Sequence, residues 1–325
     1  MNIRNAKLNG IRAAAEVHRR LGLDRKIMEG AEYIDVFEAI KDLEIPTLCR
    51  PLKGLLGAYT KAHGGGILVT TQRRLPIQRF TAAHELGHHW LDHADSKDSE
   101  QSISLARQGI ANVPLQEIEA EAFASEFLLP KSLLFKTAKR MGWGSQDLQN
   151  PETVYQFSLR TATSYEATWR ALREANYITA EQIEILKNTA PKSIKEKIWG
   201  DYKPDDSWAN ALCINEKDSG SHIIASPVDT VLVDLKEHSS GGYEWSDITN
   251  TDGVQVLSNE VTEPNDNEDK IGSVTHRKVF FKGDGSVKLK MNESRPWEQN
   301  DSSATSFEIT IDFNGTEEGI PRAAR

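Results

Sequence analysis

Four histidines and a glutamate crowd into FTAAHELGHHWLDH, residues 80–93, a stretch whose apolar residues recur at helical intervals. At about 100° per residue, His84 and His88 project about 40° apart on the stripe shared by Ile77, Phe80, Gly87 and Leu91, and so face inward. His89 and His93 fall on the other side of that helix, where a solvated face is expected. Two inward imidazoles one turn apart can hold a Zn2+ through ring nitrogens at about 2.0–2.1 Å, and Glu85 can reach a water on that ion. The bland alternative is a pair of hydrogen-bonded core histidines. A third ligand decides between the two.

Residues 114–128 offer one. There Ala120, Phe123, Ala124, Phe127 and Leu128 follow a spacing of i, i+3, i+4, i+7, i+8 and define a buried stripe. Glu117 lies on this stripe, whereas Glu119 and Glu126 point away from it. An ionised carboxylate aimed at a core is costly unless a cation or hydrogen bonds meet it, so Glu117 is the expected third ligand, the alternative being a partly exposed residue at a frayed helix start. Glu121, at the edge of the stripe, is placed to accept a hydrogen bond from a ligand histidine. One Zn2+ per chain, held by His84, His88 and Glu117, leaves a fourth position for water, whose pKa the ion lowers towards neutrality. Glu85 is then the general base for attack on a peptide carbonyl. Several tyrosines, Tyr59 among them, are candidates for stabilising the oxyanion, and nothing in the sequence selects one.

These groups need elements to carry them, and a chain of 325 residues is too long for one ordinary domain. Helices are expected over 5–21, with Leu8, Ile11, Ala14 and Ala15 inward, and over 35–43, with Val36, Phe37, Ile40 and Leu43 inward. Strands follow near 46–50, 55–60 and 67–71, the last two joined through Gly64-Gly65-Gly66, then long helices over 75–93 and 114–128. After residue 200 the pattern turns to strands at 229–236, 243–248, 254–258, 275–282, 286–291 and 306–313, the spacing of a β-sandwich. Charge shifts at the same place. Residues 1–200 hold 27 Lys and Arg against 24 Asp and Glu, residues 201–325 hold 12 against 24, and the acidic part is a poor nucleic-acid binder. No run approaches the ~18 apolar residues of a membrane span, and the polar start MNIRNAKLNG lacks an apolar signal core. Cys49 and Cys213 lack metal or disulfide spacing, so a reducing cytoplasmic setting without membrane contact is expected.

FTAAHELGH at 80–88, taken with EIEAEAFASEFLLP at 117–130, resembles the ImmA/IrrE zinc metallopeptidases, whose pattern is FTxAHELGH followed by E-x-E-A-N/D-x-F-A-x-x-L-L-M-P. GAYTKAHGGGILVTTQRR fits the strand that precedes the motif in that family, and the resemblance covers roughly residues 5–190. It implies an α+β zincin-like metallopeptidase domain over 1–140, with His84, His88 and Glu117 on the metal and Glu85 as base. It also implies a protein substrate, a helix-turn-helix transcriptional repressor whose cleavage relieves repression of stress-response or mobile-element genes. Glu121 stands where the family usually has Asn or Asp. Residues 141–200 are similar to the helical, helix-turn-helix-like subdomain that follows, with Val154, Phe157, Ala167, Leu172 and Ile178 as core. Arg160, Arg170 and Arg173 are available for phosphates, but neighbouring glutamates dilute the field. Support or substrate docking is therefore favoured over direct DNA binding.

HSSGGYEW at 238–245 and SRPWE at 294–298 resemble two of the three inhibitory loops of chagasin-type cysteine-protease inhibitors, which are immunoglobulin-like β-sandwiches. The resemblance implies an all-β domain over 201–325. Gly242-Tyr243 and Arg295-Pro296-Trp297 fit the pattern, His238-Ser239 replaces the usual Asn-Pro, and the third loop would fall near EPNDNEDKIGS. Tyr243, Trp245, Arg295 and Trp297 are candidate anchors for a protein partner, with the alternative that Tyr243 or Trp245 fills the sandwich core. Three functions follow: a zinc endopeptidase whose sandwich binds a partner or regulates it, a DNA-binding regulator with a vestigial peptidase, or a cysteine-protease inhibitor. The first is favoured because only it uses the buried charge.

Overall fold

The computed structural model describes residues 2–108, 113–248, 251–262, 275–298 and 305–325, so the segment expected to hold the third inhibitory loop lies outside the described residues. The N-terminal part runs α1 (Ile3–Leu21), α2 (Leu23–Glu29), α3 (Val36–Asp42), β1 (Thr47–Arg50), β2 (Gly57–Thr60), β3 (Gly66–Thr70), α4 (Leu75–Trp90), β4 (Ser96–Asp98), α5 (Glu100–Gln108), α6 (Leu115–Leu128) and α7 (Lys131–Met141). Its sheet has the order β1-β3-β2-β4, with β1 parallel to β3 and the other neighbours antiparallel. The helix α4 is wedged between that sheet and α6. Eight consecutive residues, Thr81 to His88, are buried there, so α4 has no solvated face along its centre.

The buried face of α1 differs from the expected one. Ala6, Gly10, Ala13, Ala14 and Val17 face the core, while Leu8 and Ile11 are 40% and 36% exposed. Close approach is the cause: a Cβ on Gly10 would lie 2.2 Å from the Glu119 carbonyl oxygen, so only small residues let α1 reach α6. Periodicity also does not predict α2, α5 or α7, which are short helices whose stability comes from packing.

A second, all-helical core joins α7 to α8 (Pro151–Arg160), α9 (Tyr165–Glu174), α10 (Ala180–Asn188) and α11 (Pro191–Trp199). Asn150, Ser164 and Thr179 cap α8, α9 and α10 with side-chain oxygens that accept backbone N–H groups. Val154, Phe157, Leu172 and Ile178 are buried in this core and Ala167 packs at its edge. Arg160 does not face a nucleic-acid groove. It is 1% exposed and forks onto Asp218, with Nε–Oδ1 and Nη2–Oδ2 distances of 2.8 and 2.6 Å, clamping α8 to the C-terminal part.

That part holds β5 (Ala211–Ile214), β6 (His222–Ala225), β7 (Thr230–Glu237), β8 (Glu244–Trp245), β9 (Val254–Thr262), β10 (Thr275–Gly283), β11 (Gly285–Ser294) and β12 (Thr305–Phe313). Two sheets, β5-β7-β10-β9 and β6-β12-β11-β8, share one core into which alternate residues such as Phe307, Ile309, Ile311 and Phe313 point. The strands not expected, β5 and β6, are four-residue edge strands that pair in parallel with β7 and β12. Register collects Glu237, Trp245, Thr275, Glu293 and Thr305 at one end of the sheets and Ala211, Thr230, Gly285 and Phe313 at the other. It is the second end that meets the helices, through Trp199 Nε1 donating to Thr230 Oγ1 and Tyr155 Oη to Asn210 Oδ1. From there the tail returns to the N-terminal part, where Gly319 and Cys49 exchange backbone hydrogen bonds of 2.7 Å and Gln78 holds the Glu317 backbone. Among the described residues no helix is long and apolar enough to cross a membrane.

Gly10→Ala is expected to lower stability by about 1–3 kcal/mol, because the added methyl group must push α1 off α6. Chemical denaturation of the two proteins, compared at equal slope, checks this. An unchanged midpoint would contradict the close approach.

Candidate metal centre

α4 supplies His84 and His88 one turn apart, and α6 supplies Glu117 from its first turn. Both histidines are fully buried and Glu117 is 8% exposed. The two Nε2 atoms stand 3.2 Å apart, and each lies 3.4 Å from Glu117 Oε2. Four donors around an ion at about 2.0–2.1 Å have mutual distances of about 3.3–3.4 Å, so these three side chains fit a Zn2+-sized tetrahedral site. A fourth donor is also present. Asp98 Oδ2 lies 3.7 Å from His84 Nε2 and 3.9 Å from His88 Nε2, and the four atoms are all within 4.8 Å of one another. Asp98 sits on the three-residue strand β4, which is too short for periodicity to single it out.

Burial by itself would lower the His84 pKa, but Glu117 and Asp98 overcome that and raise it; at His88 burial wins and lowers it. Glu117, which burial would raise, is held well below the carboxylate range by the two imidazoles. Burial raises Asp98, and burial together with the Asp98 charge lifts Glu85 well above its ordinary value. Three buried carboxylates thus converge on two imidazoles, an excess of negative charge that a divalent cation would offset. Glu85 Oε2 accepts from Ser96 Oγ at 3.1 Å, while Oε1 is buried and meets no N–H or hydroxyl donor among the described residues, with the Asp98 carboxyl group beside this side chain. Gly57 on β2 makes room for it, since a Cβ there would come within 2.5 Å of that oxygen.

Two residues expected in solvent are part of this centre. α4 ends at Trp90, and Asp92, at φ 55°, turns the chain back so that helical extrapolation fails beyond it. His93 is consequently buried, 3.0 Å from His88 Nδ1 through its own Nδ1 and 3.0 Å from Glu119 Oε2 through Nε2. With His88 Nε2 turned to a metal, its Nδ1–H donates to His93, whose Nε2–H donates to Glu119. Asn9 Nδ2 of α1 donates to the other Glu119 oxygen at 2.6 Å. Glu119 was assigned outward by the stripe rule, but α6 lies between α1 and α4 and is buried on nearly every side. Glu121 is buried too and its charge raises His84, yet His84 Nδ1 has no hydrogen-bond partner among the described residues. The outer support seen here therefore acts on His88. Tyr59 is buried and stacks on His88, with ring centroids 6.3 Å apart and planes 12° from parallel.

At the far end of the sandwich, Arg295 lies over the Tyr243 ring at 4.6 Å and donates to Gly241 O, while Trp297, 67% exposed, covers Gly242. Trp245 is not part of this surface: it is buried in the sandwich core and its Nε1 donates to Lys236 O. Buried Glu293 accepts the His238 backbone N–H and ring, and buried Glu237 accepts from Arg277 and the Trp245 N–H, which fixes the loop base.

Residues 47–172, which include the centre, match the family model of the IrrE N-terminal-like domain, Peptidase M78, and residues 225–311 match that of the chagasin family peptidase inhibitor I42. Both resemblances read from the sequence are met by these matches, and the chain joins a metallopeptidase-like region to a chagasin-like C-terminal region. Among solved structures it is similar to the cysteine protease inhibitor EhICP2 of Entamoeba histolytica, at 19% identity over 32% of this chain and 96% of that one, with a TM-score of 0.29. It is also similar to amebosin, at 21% identity over 31% and 94% of the two chains, with a TM-score of 0.24. No curated protein matches.

If His93 and Glu119 orient His88, then His93→Phe and Glu119→Gln each weaken zinc binding about 10- to 100-fold. Competition against a chromogenic chelator measures this. Wild-type affinity in both variants would make the relay a packing feature only.

Proposed function

With a metallopeptidase-family match around the centre as premise, we propose that this protein is a zinc-dependent endopeptidase, its metal held by His84, His88 and Glu117 and its general base Glu85. The observation that carries the reading is the meeting of three donors from α4 and α6 at 3.2–3.4 Å, with beside them a Glu85 oxygen that meets no N–H or hydroxyl donor among the described residues. A bound Zn2+ would polarise the scissile carbonyl and acidify a water. Glu85 Oε1 takes the proton of the attacking water and passes it to the leaving amine, while Ser96 fixes the other oxygen and Gly57 leaves the carboxylate room. Glu121 belongs to the outer support of His84 in this reading, through its charge. The substrate is a protein, a helix-turn-helix repressor by the family resemblance, the setting is the cytoplasm, and the two folds are zincin-like and immunoglobulin-like.

The sandwich contributes a separate protein-binding end built on Tyr243, Arg295 and Trp297, which favours a second activity, inhibition of a papain-like protease. DNA binding has less support: among the described residues Arg160 is buried against Asp218 and Arg170 pairs with Glu166 at 2.8 Å, which leaves Arg173 as the exposed arginine of the three.

Metal analysis should find one zinc per chain in wild type and in Glu85→Gln, and a large loss in Glu117→Ala. Glu85→Gln should cut an unfolded protein substrate about 10²- to 10⁴-fold more slowly. Equal zinc in Glu117→Ala would remove the third ligand. For the sandwich, wild type should inhibit papain irrespective of chelator and Trp297→Ala should not. Failure of wild type to inhibit leaves the loop cluster without that role.

A further inference from the structure

We propose that Asp98 is the fourth ligand of the metal and that β4 thereby holds the site closed, in a latent state. This rests on the metal reading above. A zinc site with three protein ligands keeps a position for water or substrate, whereas four protein ligands close it. Asp98 is 1% exposed; its Oδ2 meets no N–H or hydroxyl donor among the described residues, lies 3.7 and 3.9 Å from the two imidazole nitrogens, and shares the site with the carboxyl groups of Glu85 and Glu117. A buried carboxylate oxygen left in that position is costly unless a cation meets it. Its other oxygen is already directed elsewhere, 3.5 Å from Ser102 Oγ.

The backbone of β4 explains how one strand can close the site. Gly57 pairs with Asp98, Ala58 with Lys97 and Tyr59 with Ser96, and the Leu56 N–H donates to Asp98 O at 2.7 Å. Alternation along the strand turns Ser96 and Asp98 inward and Lys97 outward. Ser96 therefore holds the Glu85 carboxylate while Asp98 reaches the metal position, so both working groups are engaged by residues two apart. β4 is three residues long and lies at the sheet edge. An extended peptide adding to β2 in its place would satisfy the same backbone groups and withdraw Ser96 and Asp98 together. Opening thus exchanges one strand for another and exposes the ion and the base in a single event.

The full chain, loaded with Co2+, is titrated with azide while its visible absorption is followed, and zinc affinity is measured by chelator competition. Wild type should bind one ion and show a spectrum that azide does not move. In Asp98→Ala, azide should shift the spectrum and zinc affinity should fall at least about 10-fold. Should Asp98→Ala fail to fold, Asp98→Asn, which keeps the shape, should show the same two changes in smaller measure. Azide shifting the wild-type spectrum as readily as the variant's, or unchanged zinc affinity in the variant, overturns the closure and leaves the three-ligand reading intact. A wild type that binds neither zinc nor cobalt sinks that reading, and this one falls with it.

Discussion

The fold depends on how it accommodates negative charge placed where water is scarce. Glu85, Asp98 and Glu117 are all buried around His84 and His88. An uncompensated buried ion costs several kcal/mol, and a domain has only about 5–15 kcal/mol of net stability, so three such groups could not all be carried as bare charges. The protein divides the burden unequally. Glu117 is held well below the carboxylate range by lying against both imidazoles, whereas burial and the Asp98 charge push Glu85 up, a shift that a bound cation would oppose so as to leave Glu85 free to act as a base. A divalent ion among the donors would offset these charges together, and the surrounding elements enclose the place it would take. The small-residue face of α1 seals α6 from outside, and the sheet seals α4 from the other side.

How much of this was legible in the sequence varied with the kind of signal. His84, His88 and Glu117 lie on apolar stripes of regular helices, so spacing turns each of them inward, and the cost of a buried charge then argues that they meet. The same rule misassigned His93 and Glu119 for two separate reasons. His93 follows a left-handed residue that ends the helix, and α6 is a central helix, for which the idea of an outward face does not hold. Asp98 carries no periodic signal, because its position is set by pairing with β2 and a three-residue strand cannot display a pattern. The misreading of Leu8 and Ile11 has a related origin. Hydrophobicity ranks large residues as inward, but helices that approach as closely as α1 and α6 select for size before polarity.

In the C-terminal part, long strands with alternating burial were legible and the four-residue edge strands were not. Arg160 shows what sequence cannot separate. An arginine at the end of a helix, just before a turn, reads equally well as a phosphate contact or as one half of a buried pair, and only the arrival of Asp218 from the C-terminal part distinguishes them. Trp245 is a similar case, since a strand aromatic one residue beyond an exposed loop can point either way; here its indole meets Lys236 O inside the sandwich.

The two ends of the sandwich carry different duties, and their separation follows from register. One end is consumed by packing on α8 and α11 and by the tail that crosses to β1 and α4, so the N-terminal and C-terminal parts are tied at several buried points. The other end bears Tyr243, Arg295 and Trp297 on loops anchored by Glu237 and Glu293, and no described residue of the helical parts contributes to that cluster. A protein held there would sit at the strand ends opposite those that pack on α8 and α11. The junction between the sandwich and the rest of the chain includes the Arg160–Asp218 pair and Gln78, which lies on the same helix as His84. Gln78 joins the tail to α4 less than two turns before His84. The helix that carries His84 and His88 is thus tied directly to the C-terminal tail, beside the contacts of Arg140 with Ser221 and of Lys217 with Met141 O that join α7 to the same part.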